Sequence, residues 1–94
     1  MTLEDFVNTL QPKVAGTLQG TAKIDLTDLG QVFLSEDGAE ISDQDADVVL
    51  SATSAVFQAI LDGSQNPMMA YMSGKLKIDG SVGRALKVSE IVTS

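Results

Sequence analysis

Met72-Ser73-Gly74-Lys75-Leu76-Lys77-Ile78-Asp79-Gly80-Ser81-Val82-Gly83-Arg84-Ala85-Leu86-Lys87 is the stretch whose reading decides the fold. Leu76 and Ile78 alternate with Lys75 and Lys77, the period of a strand with one face on a core and the other in water. Asp79-Gly80 then supplies a turn, and Ser81 is a side chain that caps helix amides. Beyond it Val82, Ala85, Leu86, Val88 and Val92 recur at helical spacing. Strand, turn and helix therefore follow one another without a spacer.

Upstream, Asn66-Pro67 opens a short helix, because proline is tolerated in a first turn, and Met68, Met69, Tyr71 and Met72 follow before Gly74 ends it. Thr53 or Ser54 caps a helix with Val56, Phe57, Ile60 and Leu61 on one face and Gly63 as its stop. Ala46 to Ala52, with Val48, Val49 and Leu50, reads as a deeply buried strand. Before it, Ala39 to Ser42 and Gln31 to Leu34 read as two strands joined by Ser35-Glu36-Asp37-Gly38, whose Asp-Gly pair suits the positive φ angles of a tight hairpin. A turn at Asp28 to Gly30 leads back to Thr21–Thr27, where Ala22, Ile24 and Leu26 alternate with polar residues. Leu3, Phe6, Val7 and Leu10 predict a first helix over 3–10, capped by Thr2 and limited by Pro12, with a further helical turn reaching Leu18 before Gly20. No internal repeat or low-complexity segment interrupts this order.

The run from Met72 to Lys87, with Asn66-Pro67 before it, resembles the C-terminal signature of the sterol carrier protein 2 family, as a short bacterial-type member. The similarity extends back through Gly63, the Phe57 helix and Ala46-Asp47-Val48-Val49-Leu50, about half of the chain. The first half matches in pattern, with Gly20-Thr21-Ala22-Lys23-Ile24-Asp25-Leu26 similar to the family's first strand. The resemblance implies an α+β fold: a five-stranded, mixed but mainly antiparallel sheet covered by helices and enclosing an apolar tunnel. It also implies uptake of fatty acids, fatty acyl thioesters, sterols or other lipids without chemical change. Departures are Arg84, where family members often have an apolar residue, and Val82 and Leu86 at positions that are commonly Met.

Ninety-four residues suit one domain, expected to span 1–94, with a single modest core. With no Cys and no His, the chain has no thiolate, imidazole, disulfide or ordinary zinc chemistry. The net charge of −7 argues against nucleic acid, which is held through Lys and Arg. The charge is uneven, with 2 basic and 11 acidic residues over 1–62 against 4 and 2 over 63–94, so a transient membrane-surface contact is compatible with the second segment. Asp43, Asp45 and Asp47 imitate the opening of a calcium loop, but Val48 stands where that loop needs Gly and Ser54 where it needs Glu. A solvated loop is the expectation there. Neither a Gly-x-Ser-x-Gly elbow nor a Ser-x-x-Lys pair occurs, and no metal or other cofactor is expected.

What remains is an apolar surplus near three methionines, whose unbranched side chains re-pack around guests of variable shape. Phe33, Phe57, Ile60, Leu61, Met68, Met69, Met72, Val82 and Leu86 are the candidate lipid-binding residues. Arg84 either snorkels to water or meets a ligand's carboxylate or phosphate at the tunnel mouth. The leading expectation is a non-catalytic, cytoplasmic lipid-binding and transfer protein. The alternative is an accessory module that presents a hydrophobic or isoprenoid ligand to an enzyme complex, or binds a protein partner. A carboxylate-dependent hydrolase is the third and least supported reading.

Overall fold

The computed structural model describes residues 2–93. Its elements are α1 (Leu3–Val14), β1 (Ala22–Leu26), β2 (Gly30–Ser35), β3 (Gly38–Ile41), β4 (Val48–Ala52), α2 (Ser54–Asp62), α3 (Pro67–Met72), β5 (Lys77–Asp79) and α4 (Val82–Thr93). The five strands form one sheet in the order β3-β2-β1-β4-β5. The β1 and β4 strands run parallel and the other three pairings are antiparallel, so the sheet is mixed and mainly antiparallel.

Strand alternation gives the sheet two unlike faces. Ala22, Ile24 and Leu26 pair with Leu34, Val32 and Gly30 on one side and with Val48, Leu50 and Ala52 on the other. Apart from Gly30, these rows are buried and join Phe6, Leu10 and Val14 of α1 and Ala85, Val88 and Val92 of α4 in one core. The opposite face carries Lys23, Asp25, Gln31, Glu40 and Ser51 at the intervening positions.

The helix α1 runs through Pro12, where the sequence reading stopped it. The missing N–H costs one bond to the exposed Asn8 carbonyl, which water can serve, while Leu10 and Val14 continue the buried stripe. Ala15 N–H still donates to the Gln11 carbonyl at 3.1 Å. The capping box is present, with the Thr2 hydroxyl accepting from Asp5 N–H and Asp5 accepting from Thr2 N–H. Residues 15–17 form a turn rather than further helix, and Leu18 drops into the core.

Of the two residues expected to bend the β2–β3 hairpin, only Gly38 has positive φ, at 127°. A side chain there would also collide with the Gln11 amide, whose Oε1 accepts from Ala39 N–H at 2.6 Å. The hairpin is thus stitched to α1. The strands of 46–52 and 75–78 are shorter than expected, with β4 beginning at Val48 and β5 at Lys77. Ahead of β4, Asp47 is held by Thr21, and ahead of β5, Lys75 and Leu76 both donate to the Ala70 carbonyl. Those bonds replace ladder pairing.

Candidate functional site

The C-terminal half places a short apolar helix against the flank of a long one. Asn66 Oδ1 accepts from Met68 N–H at 2.9 Å and Met69 N–H at 3.2 Å, and Pro67 occupies the first helical position, so α3 starts where its sequence requires. Its period sets Ala70 inward, fully buried, and Tyr71 against the core. Met68, Met69 and Met72 fall within one arc of the opposite side and are 40%, 66% and 77% exposed.

The Ser81 hydroxyl accepts from Arg84 N–H and starts α4. Its core stripe is Ala85, Val88 and Val92; one turn-flank away lie Val82, Leu86, Ser89 and Thr93, spaced i, i+4, i+7 and i+11. That flank faces α3. Between them is a groove of about 350 Å³, open along one side and lined by Asn66, Pro67, Met68, Leu86, Ser89, Glu90 and Thr93. The Ser89 hydroxyl donates to the Ala85 carbonyl at 3.0 Å and Thr93 to the Ser89 carbonyl at 2.8 Å. Both hydroxyls are thus bonded to their own helix, and Pro67, Met68 and Leu86 supply the apolar part of the lining.

The other flank of α4 borders a cavity of about 250 Å³ lined by Thr17, Leu18, Gln19, Arg84, Lys87, Val88 and Ile91. Arg84 Nη2 hydrogen-bonds the Gln19 carbonyl and lies 3.6 Å from Asp47 Oδ2. Its charge is engaged by the protein. A larger depression, about 460 Å³, lies by Leu3, Asp25 and Ile41, is shallow, and gathers none of the candidate residues. Among the described residues no group of three or more His, Cys, Asp or Glu side chains is placed to hold a metal ion, and Asp43 to Asp47 form the connection before β4.

The candidate residues divide accordingly. Met68 and Leu86 both line the groove. Phe57 and Ile60 belong to the core beneath α2, with Leu61 partly buried against it. Val82 is half-buried on the groove flank of α4, and Met69 and Met72 face outward. Phe33 stands apart from this core: it pairs with Lys23 and Glu40 on the opposite sheet face, where it is nonetheless only 7% exposed. Hydrophobicity groups Phe33 with the others but does not say which sheet face a residue takes. Ser89, Glu90 and Thr93 also line the groove and are not among the sequence candidates, although their spacing from Val82 and Leu86 puts them on the same helical flank.

The SCP-2 sterol transfer family matches residues 2–93 of the chain. Hydroxysteroid dehydrogenase-like protein 2 of Xenopus tropicalis is 51% identical over 47 residues, covering 50% of this chain and 11% of that protein. The protein of that name from Danio rerio is 32% identical over 91 residues, covering 88% of this chain and 22% of that protein. The chain thus spans about a tenth to a fifth of the length of these curated relatives. Among solved structures, sterol carrier protein 2 from Aedes aegypti in complex with the C16 fatty acid palmitate aligns with a TM-score of 0.79 at 16% identity, covering 98% of this chain and 96% of that one. Apo sterol carrier protein 2 from Yarrowia lipolytica aligns with a TM-score of 0.69 at 23% identity, covering 78% and 66%. At these identities the structural likeness speaks to the fold alone.

Proposed function

The chain belongs to the SCP-2 sterol transfer family, and from that premise we propose that it takes up a fatty acid, fatty acyl thioester, sterol-like or other lipid in the α3–α4 groove and releases it unchanged. The observation that carries this reading is the groove itself, where Met68 and Leu86 form apolar walls around about 350 Å³. That volume lies just above the roughly 300 Å³ at which ordinary ligand pockets begin. Val82, Phe57 and Ile60 are the proposed deeper contacts and Met69 and Met72 the mouth, whereas Leu61 lines a separate depression of about 280 Å³ with Thr9, Gln58 and Asp62. Phe33, on the other face, is left out of the proposed set. The palmitate complex of the Aedes aegypti protein supports the choice of ligand class.

Hydrophobic capture suffices energetically. Burying about 12 to 16 methylenes at about 0.8 kcal/mol each gives on the order of 10 to 13 kcal/mol gross. Association costs of at least about 4 kcal/mol leave an affinity near the micromolar range. In this reading residues 1–94 act as one lipid-binding domain in the cytoplasm, with no catalysis of their own. Native mass spectrometry of the gently purified protein tests it: copurified lipid is the expected result, and repeated absence together with no uptake of a fluorescent fatty acid contradicts it.

A second reading draws on the length of the relatives. The matching segment is a small part of proteins named for dehydrogenase likeness, and a structural neighbour is an alkylsulfatase from Pseudomonas of which this chain covers 17%. The domain in that case presents its ligand to an enzyme. Stoichiometric recovery of an enzyme with the chain from native cells favours this form over free carriage.

A further inference from the structure

We propose that Met68, Met69 and Met72 of α3 form a site of reversible oxidation by hydrogen peroxide, and that sulfoxide at Met68 turns the adjoining groove from apolar to polar. The chain has four methionines and no cysteine, so thioethers are its only sulfur. Three of them lie on one side of a six-residue helix whose other side is anchored by the fully buried Ala70. Met68, Met69 and Met72 leave 40%, 66% and 77% of their surface in water. A thioether packed in a core is shielded from peroxide, whereas these three are open to it.

In the reaction the sulfur lone pair attacks one peroxide oxygen, and an S–O bond forms as the O–O bond breaks. The proton on the transferred oxygen passes to the departing hydroxide, which leaves as water. Sulfur loses two electrons and the peroxide gains them. The consequence differs by residue. Met69 and Met72 face outward, and their sulfoxides stay in water. Met68 lines the groove with Pro67 and Leu86, so its sulfoxide sets a strong acceptor into an apolar wall. The hydroxyls of Ser89 and Thr93 in the same groove already donate to helix carbonyls, at 3.0 and 2.8 Å, and have no second proton to offer it. An alkyl chain laid against that oxygen strips it of water without returning a hydrogen bond. Reduction of the sulfoxide restores the thioether. The effect on the groove rests on the lipid-uptake reading; the oxidation site itself does not.

Hydrogen peroxide treatment of the full chain, followed by peptide mass spectrometry and fluorescent fatty acid titration of the same samples, tests the proposal. Met72 and Met69 are expected to gain oxygen first and Met68 more slowly, following their exposure. Fatty acid affinity should fall at least about fivefold in step with Met68 modification. Methionine sulfoxide reductase should restore both mass and affinity. Met68→Leu, compared with its own untreated sample, should hold its affinity through treatment, while Met69→Leu with Met72→Leu should still lose it. The proposal is overturned if the three thioethers resist peroxide that oxidises free methionine, if binding survives full Met68 oxidation, or if Met68→Leu loses affinity as wild type does. Unfolding of the treated chain, seen by circular dichroism, overturns the local effect on the groove. Ordered oxidation of α3 in a protein that binds no fatty acid even untreated supports the oxidation site and contradicts only the lipid-uptake reading.

Discussion

Arg84 on α4 reaches Asp47, 3.6 Å away, across the loop that enters β1, and its guanidinium also donates to the Gln19 carbonyl in that loop. Asp47 in turn accepts from Thr21 N–H at 3.1 Å, and its own N–H donates to the Thr21 hydroxyl at 2.9 Å. The cation that the sequence offered as a possible ligand contact is therefore a clamp joining α4 to the starts of β1 and β4. Because both side chains of the pair keep contact with water, Arg84→Met is expected to cost about 1 kcal/mol, with fatty acid affinity within about threefold of wild type. Urea unfolding and a ligand titration on the same sample check both halves.

Gly20 lies under that clamp with φ of 77°, and a Cβ there would run into the Arg84 guanidinium and Asp47. Gly20→Ala therefore combines backbone strain with loss of the clamp and should destabilise by about 1 to 3 kcal/mol. In the Arg84→Met background part of the cost has already been incurred, so the double mutant should be less than additive. Strict additivity of the denaturation free energies contradicts the clamp.

Asp28 accepts from Ser54 N–H at 2.8 Å and Ser54 Oγ at 2.6 Å, so a turn of the sheet helps to cap α2. The Ser54 side-chain bond, then its backbone bond, lowers the Asp28 pKa below the ordinary 3.8. Bonds from Thr2 and from Ser64 lower those of Asp5 and Asp62 in the same direction. A carboxylate whose pKa falls on folding stabilises the native state fully above its unfolded value, and that contribution disappears as pH drops through the folded value. Stability attributable to these three groups is expected to be flat above about pH 5 and to fall below 3.8. Asp28→Asn should flatten the acid limb, measured by thermal melts across pH.

Phe57 is 6% exposed and Ile60 3% in the core beneath α2. Phe57→Asp buries a charge with no partner and is expected to unfold the chain, whereas Phe57→Leu should fold with a loss of about 1 to 2 kcal/mol. Circular dichroism distinguishes them. Retained folding of the Asp variant would mean that Phe57 already faces a wet cavity.

Much of this architecture is legible in the sequence because alternation and capping are local signals. Ala22, Ile24 and Leu26 announce their strand, and Thr53, Asn66 and Gly63 mark helix ends where the structure has them. Pro12 misled because its rule concerns a lost bond, and at the exposed Asn8 that loss is mild. The sites were harder to read. Phe33 and Phe57 look alike as hydrophobic residues, yet sheet pairing sends one to the face opposite the helices. Arg84 meets Asp47 and Gln19, which are 37 and 65 positions away in the chain, contacts that no periodicity predicts.

The groove between α3 and α4 carries the central claim, and Leu86→Trp tests it most directly. The indole fills the space beside Met68 from a half-buried position, so the fold should survive. Titration with a fluorescent fatty acid is predicted to show saturable, near-micromolar binding by wild type and at least about tenfold weaker binding by Leu86→Trp. Equal binding by both proteins, with the variant folded, would contradict the account.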